Sequence, residues 1–306
     1  MYGPRGRIIL RALVFSLLFA LLPEAELRGQ EGRILFNTSG AIDWTREEIN
    51  VEAGFSLAQA GIKLPAGRFM GEETLNEAYP RLLRNYLLTV RLDSNSTIET
   101  LIESGALSLG DLDRLSLEAD KVPPSLSPDL SRMNAKYTVS LGKISDYLSR
   151  QRQTMEAPKP LIPVQAASYT GIIIVAPEEL PVRGRRSLAL MEPCIFPKIW
   201  DTNMNLVYEH SMLESGRGLM VRYTTPENIF KPVPSGLDGE LAALAGANPL
   251  RILAREVFGI FPTDPVIDRD DALKILSNEN NRRLLREGRV IFVLNSANLK
   301  KNITVN

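Results

Sequence analysis

The sequence predicts a two-domain α+β protein, each domain a small mixed or antiparallel sheet with packed helices. Three observations carry this. Strand-like and helix-like periods alternate along all 306 residues without a repeat of fixed length. The stretch 151–163, QRQTMEAPKPLIP, sets three prolines among polar residues and reads as a linker. Beyond it Ile172, Ile173, Ile174 and Val175 stand in a row between Gly171 and Pro177, the pattern of a strand covered on both faces.

Residues 1–30 read as an export signal. Arg5, Arg7 and Arg11 form a positive start, and residues 12–22 (ALVFSLLFALL) an apolar core. As a helix those residues rise only about 16 Å, short of the roughly 30 Å hydrocarbon core of a bilayer. A cleaved signal ending near Gly29 is therefore expected, with delivery to the periplasm.

Residues 31–150 make the first domain. Stretches 33–44 and 48–57 alternate between apolar and polar around a short break, as paired strands do. From 67 to 88 the period changes: Leu75, Ala78, Leu82, Leu83, Tyr86 and Leu87 recur at helical spacing. Pro80 inside that pattern is expected to kink the helix or end its first part. Residues 90–92 are a short strand candidate. Thr97 or Ser96 caps a short helix ending at Gly105, and Ser108 caps another over 109–119. Val122-Pro123-Pro124-Ser125 is expected to break the chain. Residues 136–141 alternate as a strand, and 144–148 begin a helix.

Residues 164–306 make the second domain. Its centre is 169–208, two or more buried strands joined by turns, ending in a hairpin at Leu206-Val207-Tyr208. Residues 219–223 alternate as a strand, 237–247 form an Ala-rich helix, and 250–260 form another strand. Asp268 is expected to cap a helix that has Asp270 and Asp271 in its first turn and stops at Gly288. Residues 289–294 (RVIFVL) close the fold as a buried strand, leaving 295–306 as a polar tail.

Composition narrows the function. Lys plus Arg equals Asp plus Glu at 36 each, which argues against general nucleic-acid binding. The single cysteine, Cys194, lies in an apolar run and reads as buried and inert. Asp264, Asp268, Asp270 and Asp271 are the densest carboxylate cluster, but they lack the spacing of a calcium loop. His210 is the sole histidine. Neither Cys194 nor Ser211 carries the glycines of a nucleophile elbow that would make it a catalytic partner. Residues 216–218 (GRG) are too short for a phosphate loop. We therefore expect no catalytic, cofactor or metal residues. Arg183, Arg185 and Arg186 form the one basic cluster and the candidate interaction site, for an acidic partner or lipid head groups.

Taken together, YTGIIIVAPEELP, PCIFPKIWDTNMNLVY and NPLRILAREVFGIFPTDPVIDRDDALKIL resemble a bacterial envelope family. Its members pair a small-lipoprotein-like α/β domain with one carrying a Tyr-Thr-Gly strand and a proline-rich hairpin. In the first half IDWTREEINVEAG, RLDSNSTIETLIESGALSLGDLDRL and VPPSLSPDLSRMNAKYTVSL look like a spirochaete-type version. The flagellar assembly protein T family and outer-membrane flagellar lipoproteins are the relatives this resemblance points to. Where that family continues its strand with Asp-Ala-Arg-Gly, this chain has Val175-Ala176-Pro177-Glu178, and it lacks the lipid-bearing cysteine of some relatives. The resemblance implies an exported, non-enzymatic structural or assembly protein of the cell envelope. Its partners would be envelope or outer-membrane proteins, flagellar ones among them. The alternative is a periplasmic ligand-binding protein or small hydrolase using the cleft between the domains.

Overall fold

A computed structural model describes residues 34–150, 154–229 and 239–304. The expected signal, residues 1–30, and the first three residues of the expected linker lie outside the described residues. Among the described residues, no helix is long and apolar enough to cross a membrane.

The first domain is one antiparallel sheet with helices on one face. Strands β1 (Phe36–Asp43) and β2 (Glu48–Ser56) pair along their length, Phe36 opposite Phe55 and Asp43 opposite Glu48. Alternation on β2 sets Ile49, Val51, Ala53 and Phe55 into the core and leaves Asn50 and Glu52 outside. Helix α1 (Arg68–Leu88) covers the inner face with Leu75, Ala78, Tyr79, Leu83, Tyr86 and Leu87. Pro80 lies inside it and does not end it. One missing N–H is offset where a row of side chains on both sides of it is buried against the sheet.

Helices α2 (Ile98–Glu103) and α3 (Leu109–Leu117) begin in capping boxes, on Thr97 with Thr100 and on Ser108 with Asp111. Arg91 and Thr97 form an isolated bridge rather than a strand at 90–92. The proline pair does not break the chain. It lies within β3 (Asp120–Leu126), an edge strand whose register against β4 (Arg132–Ser140) shifts between Val122 and Ser125. Prolines are tolerated there because a sheet edge or bulge needs no donor from them. Helix α4 (Leu141–Ser149) ends the domain.

The second domain holds two further sheets and a hairpin. Strand β5 (Ile172–Ala176) is followed by the hairpin of β6 (Glu179–Pro181) and β7 (Leu188–Leu190). The pair β8 (Ile199–Asp201) and β9 (Leu206–Tyr208) is antiparallel, as expected. A 3₁₀ turn (His210–Met212), β10 (Arg222–Thr224), α5 (Pro226–Ile229) and α6 (Gly239–Ala245) come next. The expected single strand over 250–260 is two, β11 (Leu250–Leu253) and β12 (Glu256–Phe258), which belong to different sheets. Strand β13 (Asp264–Ile267) leads to α7 (Arg269–Leu276) and α8 (Glu279–Arg286). The expected single helix is thus divided, because Asn278 turns its side chain onto the N–H groups of Asn280 and Asn281 and starts a new one.

Strand β14 (Val290–Leu294) completes a parallel sheet in the order β10-β14-β5-β11. Ile173, Ile291 and Val293 pack with Ile229 and Ala245 on one face, while Ile172, Ile174 and Phe292, the alternate residues, are fully buried on the other. Gly171 is required where β5 begins, since a Cβ there would stand 2.7 Å from the Ala245 carbonyl oxygen. The second sheet runs β12-β13-β8-β9.

The residues after β14 are not a free tail. Helix α9 (Ser296–Leu299) leads into β15 (Lys300–Ile303), which pairs antiparallel with β1 from Asp43 opposite Lys300 to Gly40 opposite Ile303. The first domain's sheet is therefore β15-β1-β2-β4-β3, its outer strand supplied from the far side of the second domain.

Candidate functional site

The basic cluster does not act as one group. The Arg183 guanidinium ion-pairs with Glu256 at 2.9 Å and donates to the Thr202 carbonyl at 2.9 Å. Its backbone N–H donates to Val257. Arg183 therefore pins the β6–β7 hairpin onto the sheet of β12, β13 and β8. Arg185 and Arg186, at the exposed tip, are the two guanidinium groups left facing solvent.

The carboxylate cluster does not converge either. No group of His, Cys, Asp and Glu among the described residues is arranged to hold a metal ion. Asp268 occupies the N-cap position of α7, but its side chain caps nothing. It pairs with Arg255 at 2.6 Å, and Asp271 with Lys274 at 2.7 Å. Asp264 is fully buried in β13, where Lys198 N–H, Trp200 Nε1 and Thr263 Oγ1 donate to it at 3.1, 3.3 and 3.0 Å. Burial raises its pKa, and donors from Lys198, Ser94, Trp200 and Thr263 work against that rise.

His210 is buried, its ring 3.9 Å from that of Phe196 between centroids. Its Nε2 shares a hydrogen bond of 2.7 Å with Ser149 Oγ, a serine that no sequence motif singles out. Ser149 also donates to the Ser145 carbonyl, and a small open pocket lined by Thr154, Ser211 and Glu214 adjoins it. Ser211, the neighbour weighed from sequence, donates to Glu209 instead. Cys194 is buried, and its thiol is pushed well up by that burial. Its backbone N–H and carbonyl both engage the Tyr223 hydroxyl, at 3.1 and 2.7 Å.

His210 stands at the joint between the two domains, which further contacts close. Ile195 and Phe196 donate to the carbonyls of Arg91 and Leu92, and Phe261 donates to Ser94. Ser145 donates to Gly218 at 2.7 Å, and Gly218 to Asp146 at 3.1 Å. Trp44 packs edge-on to Tyr223 with centroids 5.6 Å apart. Glu47, held at φ 58° in the β1–β2 turn, forms an ion pair with Arg222 of β10. The pair meets at contact distance without hydrogen-bond alignment at Oε1. Desolvation therefore dominates and raises the Glu47 pKa, with Arg222 opposing it.

Beside this joint lies a cleft of about 570 Å³. Thr45 and Arg46 of the β1–β2 turn form one wall, and Arg222, Tyr223, Thr224, Leu241, Leu244 and Arg289 form the others, with Arg217, Asn228, Glu240 and Glu287 around them. A shallower space of about 490 Å³ lies on the outer face of the first sheet, over Thr38, Glu52, Asn134 and Lys136.

Two comparisons with known proteins bear on the chain. Residues 36–147 match the family model described as Treponema pallidum Tp0624, N-terminal domain. Residues 171–296 match the model described as Treponema pallidum Tp0624, second domain. No curated protein matches the chain. The spirochaete-type character of the resemblance is thus supported, whereas neither match is to a lipoprotein family or to the flagellar assembly protein T family. Strand β15 lies beyond the second matched stretch, yet it completes the sheet of the first. The two matched stretches are thus similar to the N-terminal and second Tp0624 domains, in the order their descriptions give.

Proposed function

We propose that the protein is an exported, non-enzymatic structural or assembly component of the bacterial envelope, with envelope or outer-membrane proteins as its partners. One observation carries the reading. His210 and Glu47 pair across the joint with Ser149 and Arg222 and Tyr223 packs on Trp44, while Asp264 and Cys194 are engaged inside the second domain. A scaffold needs its parts held in fixed relation, and polar and aromatic contacts between domains serve that end. The charged start of the chain and its short apolar core support export. A flagellar association is the narrower form of this proposal, resting on the sequence resemblance alone.

The test is capture of partners by the tagged full chain from envelope fractions. Reproducible recovery of outer-membrane or basal-body proteins supports the reading, and recovery of cytoplasmic proteins alone removes it. Export is checked separately by mass spectrometry of the N-terminus in the periplasmic fraction, where a chain beginning near residue 30 is expected. An intact Met1 held in the inner membrane overturns that part.

A further inference from the structure

We infer that the cleft beside the joint binds a small organic anion, one that presents a phosphate or carboxylate group together with an apolar body. The inference stands apart from the assembly reading and survives its failure. The volume of about 570 Å³ falls within the range of small-molecule sites.

The decisive feature is which charges in the cleft are already matched. Arg222 pairs with Glu47 and Arg217 with Glu214, so two of its four guanidinium groups are answered by carboxylates. Glu287 is answered by Arg283 at 3.5 Å. Arg289 is different. Its Nε donates to the Thr170 carbonyl at 2.8 Å and its Nη2 to Ala243 at 3.0 Å, so neutral oxygens fix the group while its charge stays uncompensated. A guanidinium carries five donors, and these bonds use two of them. Arg46, across the cleft on the β1–β2 turn, is exposed and forms no ion pair among the described residues.

Two uncompensated guanidinium groups thus face one uncompensated carboxylate, that of Glu240. A preorganised arginine binds carboxylate or phosphate oxygens through paired N–H groups, so part of the ordering cost is met before the ligand arrives. Leu241 and Leu244 supply the apolar wall that a bare inorganic ion would leave unused. Because Arg46 comes from the first domain and Arg289 from the second, the site exists only while the joint is closed.

The test uses the full chain at low ionic strength and isothermal titration with three probes of similar body: phenyl phosphate, benzoate and benzyl alcohol. At least one anion should bind at least about tenfold more tightly than the neutral alcohol, and the better of the two identifies the acidic group. Arg46→Gln should weaken that binding about tenfold while leaving the melting temperature unchanged, because the Arg46 side chain forms no ion pair among the described residues. Glu240→Gln should strengthen it, since it removes the unmatched negative charge. A merely folded but non-binding cleft gives neither response. Equal affinity for anion and alcohol, or anion binding indifferent to both substitutions, overturns the inference.

Discussion

The two principal sheets solve the problem of burial in opposite ways. The first domain's antiparallel sheet packs α1 on one face and leaves Asn50, Glu52 and Lys136 on the other, in water. The two central strands of the second domain's parallel sheet are covered on both faces, so every residue of β14 is buried and β5 leaves only Val175 partly exposed, while the outer strands expose Arg222, Arg251 and Leu253. The difference teaches where each domain tolerates change. A one-faced sheet confines its vulnerability to alternate positions, whereas strands covered on both faces are vulnerable at each.

The largest expected effect follows directly. Ile173→Asp places a carboxylate among Ile229, Ala245, Ile291 and Val293, at a cost of several kcal/mol unless it is protonated or paired. Loss of the cooperative unfolding transition is expected. Asn50→Asp on the open face of β2 should shift stability by no more than about 0.5 kcal/mol. Similar urea midpoints for the two variants would erase the contrast between the sheets.

The second effect concerns the strand that joins them. Ending the chain at Leu299 removes β15 and bares the edge of β1. A few ladder bonds at about 0.5–1.5 kcal/mol each amount to roughly 2 kcal/mol. Chemical denaturation measures this, and an unchanged midpoint would make β15 dispensable.

Acid should separate the domains further. Asp264 in β13 has a folded pKa raised above 3.8 by burial. Its contribution to stability is therefore fully present below 3.8 and lost as pH rises through the folded value. Asp111, at the start of α3, is held down to about 2 by the Ser108 hydroxyl and then Tyr147. Its contribution is present above 3.8 and lost as pH falls through about 2. Measured against pH, the advantage of the native protein over Asp264→Asn should shrink as pH rises. Over Asp111→Asn it should shrink as pH falls. Parallel curves for the two variants would contradict this assignment.

The smallest effect tests the basic turn. Arg183→Ser removes a half-exposed ion pair and a bond to Thr202, worth about 1 kcal/mol or less. Replacing Arg185 and Arg186 together with Ser should leave the melting temperature alone. Those two are the residues to test for salt-sensitive co-sedimentation with envelope membranes, because contacts of exposed charges weaken as ionic strength rises.

How much of this was legible in the sequence depended on whether the signal was local. Periodicity marked α1, capping residues marked α2 and α3, and the β-branched row marked β5. Asn278 was equally local, but a helical pattern running on both sides of it hid the break between α7 and α8. Other features were set by tertiary partners. Pro80 reads as a breaker until α1 is seen packed across the sheet. Asp268 reads as a cap until Arg255 is found beside it. Residues 300–303 (KKNI) carry no apolar alternation of their own, because one side of β15 meets solvent and its ladder is set by β1. The site was least legible. Arg46 and Arg289 lie far apart in the sequence, and neither falls within the basic cluster that composition singles out.

The return of β15 to β1 also bears on how the molecule is made. Asp43 and Lys300 are opposite one another in the ladder, yet nearly the whole folded sequence separates them. On a ribosome the first domain emerges early and must wait, one edge of its sheet unpaired, until the second domain has been synthesised. Pairing over so long a loop is slow to find, and an open strand edge meanwhile invites other chains. A chain that threads a membrane before folding would meet the same interval on the far side, since β1 again emerges well before β15.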